Sequence, residues 1–309
     1  MNPDLLGFWL SPPLLALLGL VVGSFLNVVI HRWPLMLERQ WWGEVAAQLG
    51  DAEAHQRAFG APPAGAMDAA AQHLQQRLDA LGPLGLAHPR SHCPACGHRL
   101  AWHENLPLLG WLRLRGRCAA CGTRIPVRYP LVELLTAALF GALALRHGAA
   151  PQVLLWCGVA ATLVALSVID WETTLLPDGL TLPLLWAGLL VSALGWTVAP
   201  ADAIAGAAAG YGVLWLVHGG FRLVTGKDGM GHGDFKLLAA LGAWLGWQAL
   251  LPVLLLASVI GAGVGLAMKA AGTLREGRYV PFGPFLAGAG LAVMLAGTPR
   301  VLAWIGGGL

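Results

Sequence analysis

The chain has 309 residues, of which 57% are hydrophobic and only 11% charged, with a mean hydropathy of +0.65. Soluble proteins carry about 25% charged residues, so a water-soluble globular domain is excluded and an all-α polytopic membrane protein is expected. The formal net charge of +3 gives no reason to expect a nucleic-acid partner; what matters is where the charges lie.

Leu14 to Ile30 is the first spanning candidate, extended backwards by Phe8-Trp9-Leu10. No Lys or Arg precedes it, and His31-Arg32 follow at once. A secretory signal has the opposite polarity, so residues 1–30 read as an uncleaved anchor with its N-terminus outside. Gly23, Ser24 and Asn27 fall on one helical side, which suits close packing against another helix.

Residues 31–130 form the long polar stretch, expected in the cytoplasm. Its part from 39 to 88 is rich in Ala, Gln, Arg and Glu, and Gly60-Ala61-Pro62-Pro63 breaks its helical character. A surface helical hairpin or a partly disordered extension is expected there. Further on, Cys93-Pro94-Ala95-Cys96-Gly97 is answered by Cys118-Ala119-Ala120-Cys121-Gly122. Each pair can aim two thiolates at one ion, and two pairs complete a four-cysteine site at zinc-ribbon spacing. A redox dithiol is the competing reading. Four sulfurs close the site, so Zn2+ there braces the insert and does not catalyse. His92, His98 and His103 read as surface or supporting groups. Trp102-His103-Glu104-Asn105-Leu106-Pro107 and Arg113-Leu114-Arg115-Gly116-Arg117 make a basic, aromatic surface suited to anionic lipid.

From Leu131 to the end, apolar segments near 131–147, 152–169, 180–198, 203–224, 235–247, 249–270 and 281–304 bring the expected number of transmembrane helices to about eight. The segment at 235–247 is short of the ~20 residues a span needs and reads equally as a half-length helix. Of 19 Lys and Arg, eleven lie in 31–130. Arg222, Lys227 and Lys236, and then Lys269, Arg275 and Arg278, occupy two further loops, leaving Arg146 and Arg300 elsewhere. The positive-inside rule makes the crowded side cytoplasmic, and the loops at 170–180 and 225–234 fall on it.

Those two loops carry the candidate chemistry. Gly226, Gly229, Gly231 and Gly233 lead into Asp234, Phe235, Lys236 and Leu237, and an ionisable residue at a membrane segment's edge is a functional candidate. Asp170 ends the third span at the matching depth, about 60 residues earlier. An interfacial charge is the plain alternative for Asp170, a helix cap for Asp178, and an exposed loop charge for Glu172. Two facing carboxylates in a partly dry site share a proton and titrate as a unit. That state suits peptide hydrolysis: one member takes a proton from water and the other donates to the carbonyl oxygen. Neither HExxH nor GxSxG occurs, and Cys157 reads as buried packing. Gly231 and Gly233 are expected to let an extended substrate backbone come close.

In order along the chain stand Gly23-Ser24-Phe25-Leu26-Asn27-Val28 before His31-Arg32, the paired CxxC, Glu104-Asn105-Leu106-Pro107, Arg128-Tyr129-Pro130-Leu131-Val132-Glu133, Asp170 with Leu176-Pro177-Asp178, Gly231-His232-Gly233-Asp234-Phe235-Lys236-Leu237, and Pro281-Phe282-Gly283-Pro284-Phe285. With these the chain resembles the type IV prepilin peptidases, and its Gly-x-Gly-Asp element is shared with the wider group of intramembrane aspartyl proteases that includes presenilin. The resemblance implies a bifunctional bacterial inner-membrane enzyme of pilus biogenesis and type II secretion. It would cut the basic leader from prepilins and pseudopilins after a Gly, on the cytoplasmic side. It would then methylate the new N-terminus with S-adenosylmethionine. Asp170 and Asp234 match the family's catalytic pair, with Gly231, Gly233, Lys236 and Asp178 as support. The expected organisation is an anchor at 1–30, a cytoplasmic domain with the four-cysteine zinc site at 31–130 and a protease domain at 131–309. Lipid and the pilin substrates are the expected partners, and a homo-oligomer is open. A transporter using the two aspartates for protons or cations is the main rival; the four-cysteine insert and the placement of both acids at one membrane face, away from the midplane of transporter sites, argue against it. A non-enzymatic pilin assembly factor is the third reading and would tolerate Asn at both positions.

Overall fold

In the computed structural model, residues 3–273 and 280–306 are described. Arg275 and Arg278, used above for topology, lie outside them. The described chain is helical apart from two isolated β-bridges, His92↔Arg99 and Arg117↔Arg124. The helices are α1 (Pro3–Trp9), α2 (Pro12–Gly50), α3 (Ala52–Phe59), α4 (Gly65–Ala80), α5 (Leu109–Arg113), α6 (Arg128–His147), α7 (Val153–Thr173), α8 (Asp178–Ala193), α9 (Pro200–Thr225), α10 (His232–Leu245), α11 (Leu250–Ala270), α12 (Gly283–Ala296) and α13 (Thr298–Gly306). A 3-10 turn at Trp247–Ala249 leads into α11.

Two compact units divide the chain. One holds residues 1–27 and 126–309, the other 28–125.

The first unit is a helical membrane bundle. Among the described residues, five helices are long and apolar enough to cross a bilayer. The α12–α13 pair becomes a sixth only as a broken span, bent by 102° where Gly297 sits at φ 91°. The eight spans read from the sequence therefore include α8 at 16 residues and α10 at 14. At 1.5 Å per residue α10 is about 21 Å long, short of the ~30 Å hydrocarbon core.

Helix α10 is buried on all sides. Every residue from Leu237 to Trp244 is inside, as expected of a helix that is apolar all round. Glycines let its neighbours approach. A methyl group at Gly210 of α9 would lie 2.7 Å from the Leu238 carbonyl oxygen, and Gly206 is pressed against Gly242 in the same interface. On the α8 side the Trp244 ring covers Gly188, and its indole N–H donates to the Leu184 carbonyl at 2.8 Å. Without a hydrophobic force between helices in lipid, such small-residue contacts are what association rests on. The same device joins α2 to α6. Methyl groups at Gly19 and Gly23 would each lie 2.7 Å from a backbone Cα, those of Ala137 and Glu133. One turn on, the Asn27 amide donates to the Tyr129 carbonyl at 3.1 Å. The packing face read from Gly23 and Asn27 is thus real, with Gly19 as an unread member.

In the second unit α2 continues well past His31-Arg32, where the sequence suggested that the helix gives way to a polar insert. The chain breaks at Gly60 to Ala64 and resumes in α4, a helical pair as read. Asp51 caps α3 by accepting from the Ala54 N–H at 2.9 Å. The buried Arg32 guanidinium donates to the carbonyls of Gly85 (2.9 Å) and Leu86 (3.3 Å), tying the segment after α4 back to α2.

Candidate active site and metal centre

Asp170 lies in the last turn of α7 and Asp234 in the first turn of α10. They border one site: Leu176 lies against both Gly233, which precedes Asp234, and Gly283, which faces the Asp170 carboxyl. Both are buried, 5% and 7% exposed, in a protein where such burial costs heavily unless the groups are used. One oxygen of each, Oδ2 of Asp170 and Oδ1 of Asp234, is buried with no hydrogen-bond partner. Two unsatisfied carboxyl oxygens from helices far apart in sequence form a polar centre with free capacity to hold a ligand.

The sequence pointed to both acids but not to what surrounds them. Gly283, first residue of α12, faces the Asp170 carboxyl: a methyl group on it would lie 2.5 Å from Asp170 Oδ2, so any side chain there displaces the carboxylate. Its signal was the Pro281-Phe282-Gly283-Pro284 run, legible as a motif but mute about role.

The supporting residues behave differently from expectation in three places. Asp178 is not a helix cap: α8 has no side-chain cap, and Lys236 Nζ donates to both Asp178 oxygens at 2.6 and 2.8 Å. Glu172 is no free loop charge, since it sits in α7 and holds Arg128 in an ion pair. Among the crowded glycines only Gly226 takes a positive φ, 69°. Gly231 is extended (φ −77°, ψ 147°) with open space around its Cα, whereas Gly233 is covered by Leu176, 2.7 Å from where its Cβ would be. The space beside Gly231 is open; at Gly233 the protein itself fills it.

Sequence reading also passed over a ring cluster beside the loop. His218 of α9 lies 5.6 Å from both His232 and Phe235, centroid to centroid, and 3.7 Å from the Asp228 carboxylate. Arg222 reaches the same carboxylate at 3.6 Å.

In the other unit, Cys93, Cys96, Cys118 and Cys121 bring their sulfurs within 4.8 Å of one another. The two loops repeat one geometry. In each, the Gly after the second Cys takes φ 74° or 70° and donates back to the first Cys carbonyl, Gly97 to Cys93 at 2.9 Å and Gly122 to Cys118 at 3.0 Å. The first Cys N–H donates in turn to His98 O (2.8 Å) or Thr123 O (2.9 Å). Sulfur separations of 3.9 Å for Cys93–Cys121 and for Cys96–Cys118 match the ~3.8 Å edge of a tetrahedron with 2.3 Å metal–sulfur bonds. Hydrogen bonds from the Thr123 hydroxyl and backbone pull the Cys121 thiol down to about 6, and the backbone amides of Ala95 and Cys96 hold Cys93 below the usual thiol range. The cluster can bind a metal ion. His98 stays outside it, 3.1 Å from Glu104, whose carboxylate also accepts from the Ala101 N–H at 2.8 Å.

Two family models match: the Bacterial Peptidase A24 N-terminal domain over residues 17–147 and the Type IV leader peptidase family over 157–266. The chain is 48% identical over 289 residues to the prepilin leader peptidase/N-methyltransferase of Aeromonas hydrophila, covering 94% of this chain and 92% of that one. To the protein of that name from Burkholderia pseudomallei it is 49% identical over 286 residues, 92% and 85% of the two chains. To that of Pseudomonas aeruginosa it is 44% identical, over 91% and 89%. No solved structure matches the chain. With close to half of its residues shared with these relatives over most of its length, the chain belongs to the type IV leader peptidase family.

Proposed function

We propose that this protein cleaves the leader from type IV prepilins and pseudopilins and then N-methylates the exposed residue, with Asp170 and Asp234 as the catalytic pair. The observation that carries the proteolytic reading is the meeting of two buried acids, each with an unpartnered oxygen. In a shared-proton pair the ionised carboxylate takes a proton from the attacking water, and the protonated one donates to the scissile carbonyl. Gly231 offers open space for an extended strand, and Lys236 and Asp178 fasten the α8 entrance to α10.

The relatives' printed names carry the second activity, for which S-adenosylmethionine is the methyl donor. Zn2+ held by Cys93, Cys96, Cys118 and Cys121 would brace residues 31–130 as a cytoplasmic domain, between an anchor at 1–30 and the protease domain at 131–309. The protein sits in the inner membrane, N-terminus outside, with both acid-bearing loops at the cytoplasmic face. Charge supports this orientation, because Lys and Arg crowd residues 31–130 and flank the 225–234 loop, which marks that side as cytoplasmic.

The test is cleavage of a prepilin by detergent-purified protein, followed by gel mobility and mass spectrometry of the new N-terminus. Asp170→Asn and Asp234→Asn each abolish cleavage while the protein is still made. Wild-type rates in either variant overturn the dyad; mature pilin without an added methyl group overturns the second activity.

A further inference from the structure

A short strap, residues 174–177, joins α7 to α8. Its start is the left-handed Thr174 (φ 56°) that ends α7, and its end is Pro177 (φ −61°, ψ 130°). One side chain on it, the half-buried Leu176, touches both glycines of the site. Its Cβ lies 2.7 Å from the position a Gly233 methyl would take, and its Cδ1 lies 3.1 Å from that of Gly283. Gly233 is bonded to Asp234. Gly283 faces Asp170, whose Oδ2 lies 2.5 Å from where a Gly283 Cβ would be. A single leucine therefore presses on the backbone next to each acid, from α10 on one side and α12 on the other.

The strap cannot drift away from this position. Pro177 fixes its own φ, and the next residue, Asp178, is held by Lys236, two residues beyond Asp234. We propose that Leu176 is a positioning residue: a wedge against Gly233 and Gly283 that sets the separation of the two aspartates. The proposal rests on the dyad reading above. It assigns the glycine of the Gly-Asp pair a reason that differs from substrate access. Gly233 is glycine because Leu176 occupies the place of its side chain.

The geometry makes an asymmetric prediction. A methyl group at Gly233 collides first with the Leu176 Cβ, at 2.7 Å, and then with its Cδ1 and Cγ, so removing the whole side chain, Cβ included, makes room for it. At Gly283 a methyl group collides with the Asp170 carboxylate itself, at 2.5 Å, and removing the leucine does not help. The experiment measures kcat and KM for prepilin cleavage in Leu176→Gly, Gly233→Ala, Gly283→Ala and the two doubles that combine a glycine change with Leu176→Gly. Expected is a fall in kcat of on the order of tenfold or more for Gly233→Ala with KM little changed, the signature of a group that acts on the acids rather than on binding. In the Leu176→Gly background the same glycine change costs less than about threefold, whereas Gly283→Ala remains as damaging as before. If Gly233→Ala does not fold, a folded and cleaving Gly233→Ala/Leu176→Gly double supports the wedge, and an inactive one overturns it. Equal loss in both backgrounds, or a wild-type rate for Gly233→Ala, also overturns it. Asp170→Asn run alongside separates the two levels: if it cleaves, the dyad has failed, and if it is dead while the rescue is missing, only the wedge has.

Discussion

Gly210→Ala is the sharpest test of how the bundle holds Asp234. The added methyl would stand 2.7 Å from Leu238 O, 2.9 Å from Leu238 C and 3.0 Å from Ala239 N. All three are backbone atoms, so no rotamer change relieves the clash. Ordinary contact begins at 3.4 Å, which leaves a shortfall of 0.7 Å that α9 and α10 must open between them. Leu238 is one helical turn after Asp234 on the same short helix, so the shift is passed to the carboxylate nearly undiminished. Overpacking of this kind costs about 1–3 kcal/mol of stability. A misplacement near 1 Å at a catalytic group can cost about 10²-fold in rate, so a loss of roughly 10- to 100-fold in kcat is expected. Gly212→Ala is the matched control: two residues along the same helix, nothing lies within 4 Å of the added methyl, and exchange of Gly for Ala favours a helix by about 1 kcal/mol. The assay is prepilin cleavage in detergent beside a thermal melt of each protein. If Gly210→Ala cleaves as fast as Gly212→Ala, the close approach of α9 to α10 is not what places Asp234.

Three further outcomes are expected. Cys118→Ser lowers the bound zinc of the purified protein and makes residues 31–125 more open to protease, read by metal analysis and limited proteolysis; full zinc occupancy in that variant would refute the four-cysteine assignment. Lys236→Met loses an ion pair whose partners are 28% and 58% exposed, so the melting curve moves little, in line with at most about 1 kcal/mol for such pairs. Cleavage falls by a few-fold and returns on the charge swap Asp178→Lys/Lys236→Asp. Glu104→Gln removes a carboxylate held below its usual range by the Ala101 N–H and then by His98. A depressed group stabilises the fold above its unfolded titration and loses that effect as pH falls, so the mutant melts earlier than wild type at neutral pH and the gap closes in acid.

What the sequence revealed depended on how local the determinant was. The four-cysteine cluster was fully legible because each half is a five-residue pattern whose glycine, at φ 74° or 70°, has one conformational job. The two acids were legible because burying a charge in an apolar run is expensive, so chance does not leave one there. Helix ends were read less well. Helix α2 runs 39 residues from Pro12 to Gly50, because backbone hydrogen bonding ignores the change from apolar to polar side chains at His31-Arg32 that ended the predicted span. Asp178 followed a proline in the manner of a cap, yet Lys236, 58 residues away, offered a charged partner that local geometry could not reveal.

Leu176 marks the limit of such reading. In the sequence it belongs to the Leu176-Pro177-Asp178 run, legible as a motif but mute about role. That role exists only where positions 176, 233 and 283 meet. The two glycines could be read as freedom, since glycine permits turns and close approach. At Gly233 and Gly283 the missing side chain instead gives constraint: the vacated space is filled, by a leucine in one case and by the Asp170 carboxylate in the other. A flexible hinge and a tight socket have the same residue type in a sequence, and they differ in how they answer to alanine. The hinge accepts a methyl group at modest cost in backbone freedom, whereas the socket rejects it unless the occupant is removed. Rescue of Gly233→Ala by Leu176→Gly, with none for Gly283→Ala, is therefore the observation that tells the two kinds of glycine apart beside this pair of acids.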